Sequence, residues 1–348
     1  MPETLTLETR GHVLLIGLNR PEKKNAFNLK MLRDLSTAIG CYEADPSLRA
    51  AVLFAHGPDF TAGLDLADMA GVVARGEPII LDGAFDPLGV HGRARTKPLV
   101  VAVHGLCLTI GVELMLAADI AVVAEDARLA QIEVKRGIFP FGGASQRWVA
   151  ATGWGNAMRY LLTGDEVDGA TAVRIGLAQD VLPADEVLPK TVAIAETIAA
   201  QAPLGVAATL RSARLGIDAG DAAAFAELMP ELRRLMDTED AQEGVMSFLQ
   251  RRTASFKGRR ALRGSYRCER PRRVREGSGV AACTGWRGNH RGHEVSIRVT
   301  AARGSRGLLQ LFFPSTPMKF APSEGLGVNS AAGEAITADI AAIIANHR

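Results

Sequence analysis

The sequence predicts an α/β fold in which parallel strands alternate with helices. Continuous apolar runs of buried-strand length recur at 50–55 (AAVLFA), 98–103 (PLVVAV) and 119–124 (DIAVVA). Strands that are apolar on both faces belong to parallel sheets covered by helices, the arrangement that βαβ units produce. Helical character in the intervening segments, and throughout the chain beyond about residue 140, completes the pattern.

The opening segment alternates as strands do, first at Leu5-Thr6-Leu7 and then over 12–18 (HVLLIGL), before Asn19-Arg20-Pro21 breaks it. A helix is expected from Asn28, a good N-cap, with Leu29, Leu32, Leu35 and Ile39 on one face. A polar helical stretch is expected between Arg75 and Lys97, and an apolar helix carries Glu113. Later helices are expected over 145–162, 168–176 and 188–201, and in pieces from Gly205 to Phe248, where Met, Trp and Leu stripes read as core packing.

A chain of 348 residues can bury a large core, and 47% hydrophobic with 22% charged residues is a globular composition. The net charge of +2 gives no global case for nucleic acid. Cys41, Cys107, Cys268 and Cys283 lack metal-ligand or CxxC spacing, so free thiols in a reducing compartment are expected. The acidic, alternating N-terminus is unlike a targeting peptide and no apolar run reaches membrane-spanning length, so a cytoplasmic location is expected. Composition changes abruptly near Arg259. Thirteen arginines and no lysine occur from Arg259 to Arg306, and Asp is absent between Asp240 and Asp339. A poorly ordered extension is expected there, with a weak helical pattern over 335–344.

Two glutamates stand out chemically. Glu113 interrupts an almost wholly apolar helix (GVELMLAAD, 111–119), and Glu133 precedes a glycine-rich stretch (GIFPFGG, 137–143). A carboxylate in apolar surroundings is costly unless paired, hydrogen-bonded or protonated. The ordinary alternatives are a first-turn charge on the helix dipole for Glu113 and a salt bridge to Lys135 or Arg136 for Glu133.

Several motifs, in order, resemble the crotonase (enoyl-CoA hydratase/isomerase) superfamily: NRPEKKNAFN at 19–28, FTAGLDL at 60–66, VHG at 103–105, QIE at 131–133, GIFPFGGASQR at 137–147, LLTG at 161–164 and AVRIGL at 172–177. The resemblance spans roughly residues 3–259. It implies a repeated ββα spiral over 1–200 and a C-terminal helical oligomerisation region over 201–259 that builds a homotrimer or homohexamer. Residues 260–348 remain as the arginine-rich, irregular extension.

The resemblance also implies a reaction. Water adds to a 2-enoyl-CoA thioester through an enolate, with Glu113 activating water and Glu133 handling the proton at C2. The backbone N–H groups of Leu64 and Ile110 act as oxyanion donors. Substrate contacts fall to Lys24, Ala62, Gly63, Asp65, Leu66, Gly111, Phe141 and, from a C-terminal element, Lys257. No cofactor beyond CoA in the substrate is implied, and His104 reads as structural. Ile110 stands where the family usually has glycine, Ile132 where it has proline, and Phe141 where a small residue is common, so the acyl pocket is expected to be reshaped. The competing readings are double-bond isomerisation, a catalytically idle scaffold, and RNA binding through the basic tail. The tail shows no aromatic stacking pattern that would favour the last.

Overall fold

The computed structural model describes residues 4–259 and, beyond them, only the backbone of four strands. The chain begins β1 (Leu5–Arg10), β2 (Val13–Leu18), α1 (Leu29–Ala44), β3 (Ala50–Ala55) and α2 (Leu66–Ala74). It continues β4 (Leu99–Val103), β5 (Leu106–Leu108), α3 (Ile110–Ala117), β6 (Ile120–Ala124), β7 (Arg128–Ala130), α4 (Ala144–Thr152) and α5 (Trp154–Leu161). Then come β8 (Val167–Asp168), α6 (Gly169–Ile175), β9 (Asp180–Leu182), α7 (Ala184–Ala199), α8 (Pro203–Ala219), α9 (Asp221–Met236) and α10 (Glu239–Leu249).

The longer strands form one sheet in the order β1-β2-β3-β4-β6-β9. Only β1 and β2 pair antiparallel in it; the remaining pairings are parallel, as the apolar runs require. A second, three-stranded sheet has the order β5-β7-β8. Isolated parallel bridges extend its pattern backwards, from Cys107 to Thr61 and from Leu64 to Phe27. Each turn of the fold therefore places one long strand in the first sheet, a short extended segment beside its predecessor, and then a helix. This is the ββα repeat, and the short segments are what the periodicity of the sequence did not reveal. Runs of three residues are too short to carry an alternating signature.

Helix α1 follows expectation closely. The Asn28 side chain accepts from the Met31 N–H at 2.9 Å, and Leu32, Leu35 and Ile39 are buried with Met31 and Tyr42. Helix α6 is framed as its sequence predicts, with Asp168 as N-cap and Gly176 closing it at φ 84°. Two expectations are corrected. The segment 75–98 is irregular rather than helical, and the helix lies earlier, at Leu66–Ala74. Gly76, Gly83 and Gly89 all adopt positive φ, and Pro78 and Pro87 punctuate the rest. The Asp86 carboxylate instead gathers the N–H groups of Leu88, Val90 and His91 at 2.7–2.9 Å into a compact turn. The single helix expected over 145–162 is two, broken at Gly153 with φ 79°.

The core runs between the main sheet and helices α1, α3 and α4, with Trp148, Tyr42, Phe27 and Phe60 its largest fully buried side chains. Helix α7 covers the other face of β2, β3 and β4 through Val192, Ala195 and Ala199. A buried ion pair ties these layers together: Asp119, at the entrance to β6, accepts from Arg95 at 2.6 Å and from Arg214 of α8 at 3.1 Å. Arg95 is only 7% exposed. Asp119→Ala would leave that cation only the Lys97 and Ala117 carbonyls, each at 2.7 Å, and a loss of about 3 kcal/mol is expected, read as a lowered urea midpoint.

Among the described residues no single helix is long and apolar enough to cross a membrane; α7 and α8 together pass by length and composition but are bent by 105°. Cys41 and Cys107 are free thiols. Residues Met1–Ala261 form one compact unit and Leu262–Arg348 a second. In the latter, β10 (Arg267–Cys268), β11 (Val280–His290), β12 (His293–Ala302) and β13 (Leu308–Phe312) pair as an antiparallel sheet in sequence order. The expectations of poor order over 260–348 and of a helix over 335–344 otherwise lie outside the described residues.

Candidate active site

A cavity of about 440 Å³ opens between the loop after β3, the start of α3, the loop after β7 and the irregular 75–98 segment. Its lining is mainly apolar, and Glu113 and Glu133 both reach it. They are 3% and 5% exposed.

Glu113 sits in the first turn of α3. Its carboxylate reaches across to the glycine-rich loop, where it accepts the Gly142 N–H at 2.6 Å. Burial raises its pKa above the ordinary glutamate range, opposed by the N–H groups of Gly142 and Ala144 and by the charge of Arg147. The helix-dipole alternative therefore accounts for its place in the turn, and the loop N–H accounts for where its carboxylate points. Glu133 opens a 3₁₀ turn, Glu133–Arg136, that Gly137 closes at φ 76°. Burial, partly offset by its own N–H and reinforced by the neighbouring Glu113 charge, pushes the Glu133 carboxyl up to about 7. The salt bridge to Lys135 or Arg136 is not formed. Lys135 instead faces Asp165 at 3.9 Å. The two carboxyls thus share one cavity but differ in what holds them, a condition that separates acid from base.

Leu64 and Ile110 both line this cavity. In the bridge between Phe27 and Leu64, the Phe27 N–H donates to Gly63 O at 2.8 Å and the Asp65 N–H donates to Phe27 O at 2.9 Å. The bridge uses the residues flanking Leu64 and leaves the Leu64 N–H pointing away from it. Ile110 is the first residue of α3, a position whose N–H has no intrahelical partner. The peptide before it is unusual: Thr109 has φ 51° and ψ −111°, conformations that β-branched residues rarely adopt. Ile110 itself is not among the residues at positive φ; the strained backbone is that of Thr109. Gly63 makes room for it, since a Cβ there would stand 2.4 Å from the Thr109 hydroxyl.

Ala62, Leu66 and Phe141 also line the cavity. Lys24, Gly63, Asp65, Gly111 and Lys257 do not. The Lys24 carbonyl accepts the Ala62 N–H at 2.9 Å, Asp65 pairs with Arg20 at 3.1 Å, and the Lys257 N–H donates to Asp240 at 2.7 Å. Gly111 has a packing role: a Cβ there would meet Thr61 Cγ2 at 2.5 Å. His104 contacts the Gly57 carbonyl at 2.9 Å, in keeping with a structural role. Three contributors were missed. Thr109 and Gly142 act through backbone geometry, and the 75–98 loop supplies Ile79, Ile80, Leu88 and His91 to the wall. Only the density of glycine and proline in that loop signalled that it was no helix. Among the described residues, no group of three His, Cys, Asp or Glu side chains is arranged to hold a metal ion.

Comparison with known proteins places the chain by sequence and by fold. Residues 8–259 match the family model described as enoyl-CoA hydratase/isomerase. The 2,3-dehydroadipyl-CoA hydratase of Escherichia coli K12 is 33% identical over 255 residues, covering 73% of this chain and 99% of that protein. A crystal structure of a probable enoyl-CoA hydratase/isomerase from Mycobacterium abscessus superposes with a TM-score of 0.73 at 54% identity, covering 74% of this chain and 99% of that one. The enoyl-CoA hydratase of Mycobacterium tuberculosis H37Rv gives a TM-score of 0.68 at 36% identity, over 73% and 99% of the two chains.

Proposed function

The chain belongs to the enoyl-CoA hydratase/isomerase family, whose members act on acyl-CoA thioesters, and we propose that it hydrates a 2-enoyl-CoA. The observation that carries this reading is that two buried glutamates reach one apolar cavity whose wall also includes Leu64 and Ile110, with N–H groups outside the sheet and helix ladders. Glu113, held by the Gly142 N–H, takes a proton from water as the water oxygen bonds to C3. Charge passes to the thioester oxygen, where the Leu64 and Ile110 N–H groups stabilise it, a contribution of about 3–4 kcal/mol per donor in comparable sites. Glu133 gives its proton to C2. The pair is reset when the proton on Glu113 returns to Glu133 through solvent. The step as proposed draws on these groups, one water and the CoA thioester. Exposed Phe225, Leu228, Met229 and Leu232 on α9 support the further proposal that a trimer, or a dimer of trimers, covers this helix.

The test is hydration of short, medium and branched enoyl-CoAs by the purified full-length protein. Absence of turnover across that panel would refute the reading. The pH dependence is also specified. Hydration needs Glu133 protonated, and its carboxyl titrates at about 7, so kcat/KM is expected to fall as pH rises through that region. Glu113→Gln removes a negative neighbour, so the Glu133 titration followed by infrared difference spectroscopy should move to lower pH. An unmoved midpoint would mean that the two carboxyls are not coupled.

A further inference from the structure

Gln131, the residue that follows β7, is 1% exposed. A primary amide carries two N–H donors, and burying them unpaired costs about 1–3 kcal/mol. Oriented by its hydrogen-bond network, the amide nitrogen faces three acceptors: Glu133 Oε1 at 2.9 Å, Glu133 Oε2 at 3.0 Å and the Thr109 carbonyl at 3.2 Å. One N–H is thus shared by the two carboxylate oxygens, and the other goes to Thr109. The reversed amide would set its own oxygen against the same three oxygens.

The Thr109 carbonyl and the Ile110 N–H belong to one peptide plane. The described chain has no cis peptides, so the two groups point in opposite directions. The carbonyl also accepts the Glu113 N–H at 3.1 Å. Holding the carbonyl on that side turns the Ile110 N–H to the other. The hold is needed because the preceding residue is threonine at φ 51°, a conformation that costs about 1–3 kcal/mol and persists only when its surroundings enforce it. The Thr109 N–H, donating to Ala130 O at 2.9 Å, supplies a second anchor.

We propose that Gln131 is a positioning residue that fixes, through one side-chain amide, both the Glu133 carboxyl and the direction of the Ile110 N–H. The proton donor and the charge-stabilising donor then keep a common register, and disturbing either end of the amide disturbs both. This rests on the hydratase reading of the same cavity.

Two full-length variants test it. Gln131→Met keeps the volume and removes both donors; Gln131→Glu keeps the shape and sets an acceptor against Glu133. The probe is butyryl-CoA labelled with ¹³C at its carbonyl, a saturated thioester that cannot be hydrated. In both variants its carbonyl stretch is expected to lose most of the shift to lower frequency that the wild type induces. With an enoyl-CoA, kcat should fall about 10²-fold with KM within about threefold, as expected of misplacement by an ångström or so, and the limb of the pH profile belonging to Glu133 should move to higher pH. Variants with a lowered melting temperature but wild-type kcat, pH limb and carbonyl frequency would overturn the proposal, leaving a buried amide with a packing role. If the wild type shifts the butyryl-CoA carbonyl and the variants do not, yet no enoyl-CoA is hydrated, the hydratase reading fails and the positioning role stands. Failure of the wild type to bind butyryl-CoA would overturn both. Should Gln131→Met not fold, Gln131→Glu decides by the same readouts.

Discussion

Glu113→Gln and Glu133→Gln are each expected to lower kcat for hydration by about 10²–10⁴-fold while leaving KM nearly unchanged. The range is the usual contribution of a positioned general acid or base, and the pattern follows from removing an interaction made only in the transition state. Glutamine retains the volume and one oxygen. At position 113 it can still accept the Gly142 N–H, so the loop should stay in place while the proton acceptor is lost. Steady-state kinetics on the two variants also separate hydration from double-bond isomerisation, which can proceed with the Glu133-type residue alone. A Glu113→Gln enzyme with full activity would refute the assignment of water activation to Glu113.

Gly142→Ala is expected to cost about 10²-fold in activity with little change in stability. A Cβ at this position would lie 2.3 Å from Glu113 Oε2 and 2.6 Å from its Cδ, closer than atoms can approach. The Gly142 backbone has no positive φ, so alanine meets no conformational barrier of its own. What gives way is the end of the glutamate side chain together with the Leu88 methyl, which the Cβ would meet at 2.7 Å, and a carboxylate displaced by about an ångström is a catalytic defect of roughly this size. Kinetics and thermal unfolding on the same preparation check it. A variant with wild-type kcat would show that Glu113 does not depend on the loop; a large drop in melting temperature would show that the loop, rather than the side chain, had moved.

The long apolar strands were legible because a strand buried on both faces needs an unbroken hydrophobic run, as β3 and β4 have. The two glutamates were legible for the complementary reason, since charge is conspicuous in such surroundings. Asn28 announced a helix start by chemistry that acts over three residues, and the bounds 168–176 coincide with the Asp168 cap and the Gly176 turn. What could not be read depends on contacts between distant segments. Nothing local distinguishes Gly142 from other glycines until Glu113 reaches it from 29 positions away. Nothing local gives Gln131 its orientation until the Thr109 carbonyl and the Glu133 carboxylate meet it together. The 75–98 loop misled because its polar residues resembled a helix face, whereas its glycines and prolines, and the Asp86 turn, decide its shape.

The parallel bridge between Thr61 and Cys107 lies three residues before both Leu64 and Ile110. Neighbouring extended segments stand about 4.8 Å apart by hydrogen-bond geometry alone. The interval between the Leu64 and Ile110 amides is therefore anchored in the spiral's own repeat, and what side chains add is the direction of the Ile110 N–H. Under the hydratase reading, side chains at these positions can differ in size and reshape what the cavity admits while the two donor amides keep their place. A scaffold built this way separates the evolution of substrate choice from the preservation of chemistry.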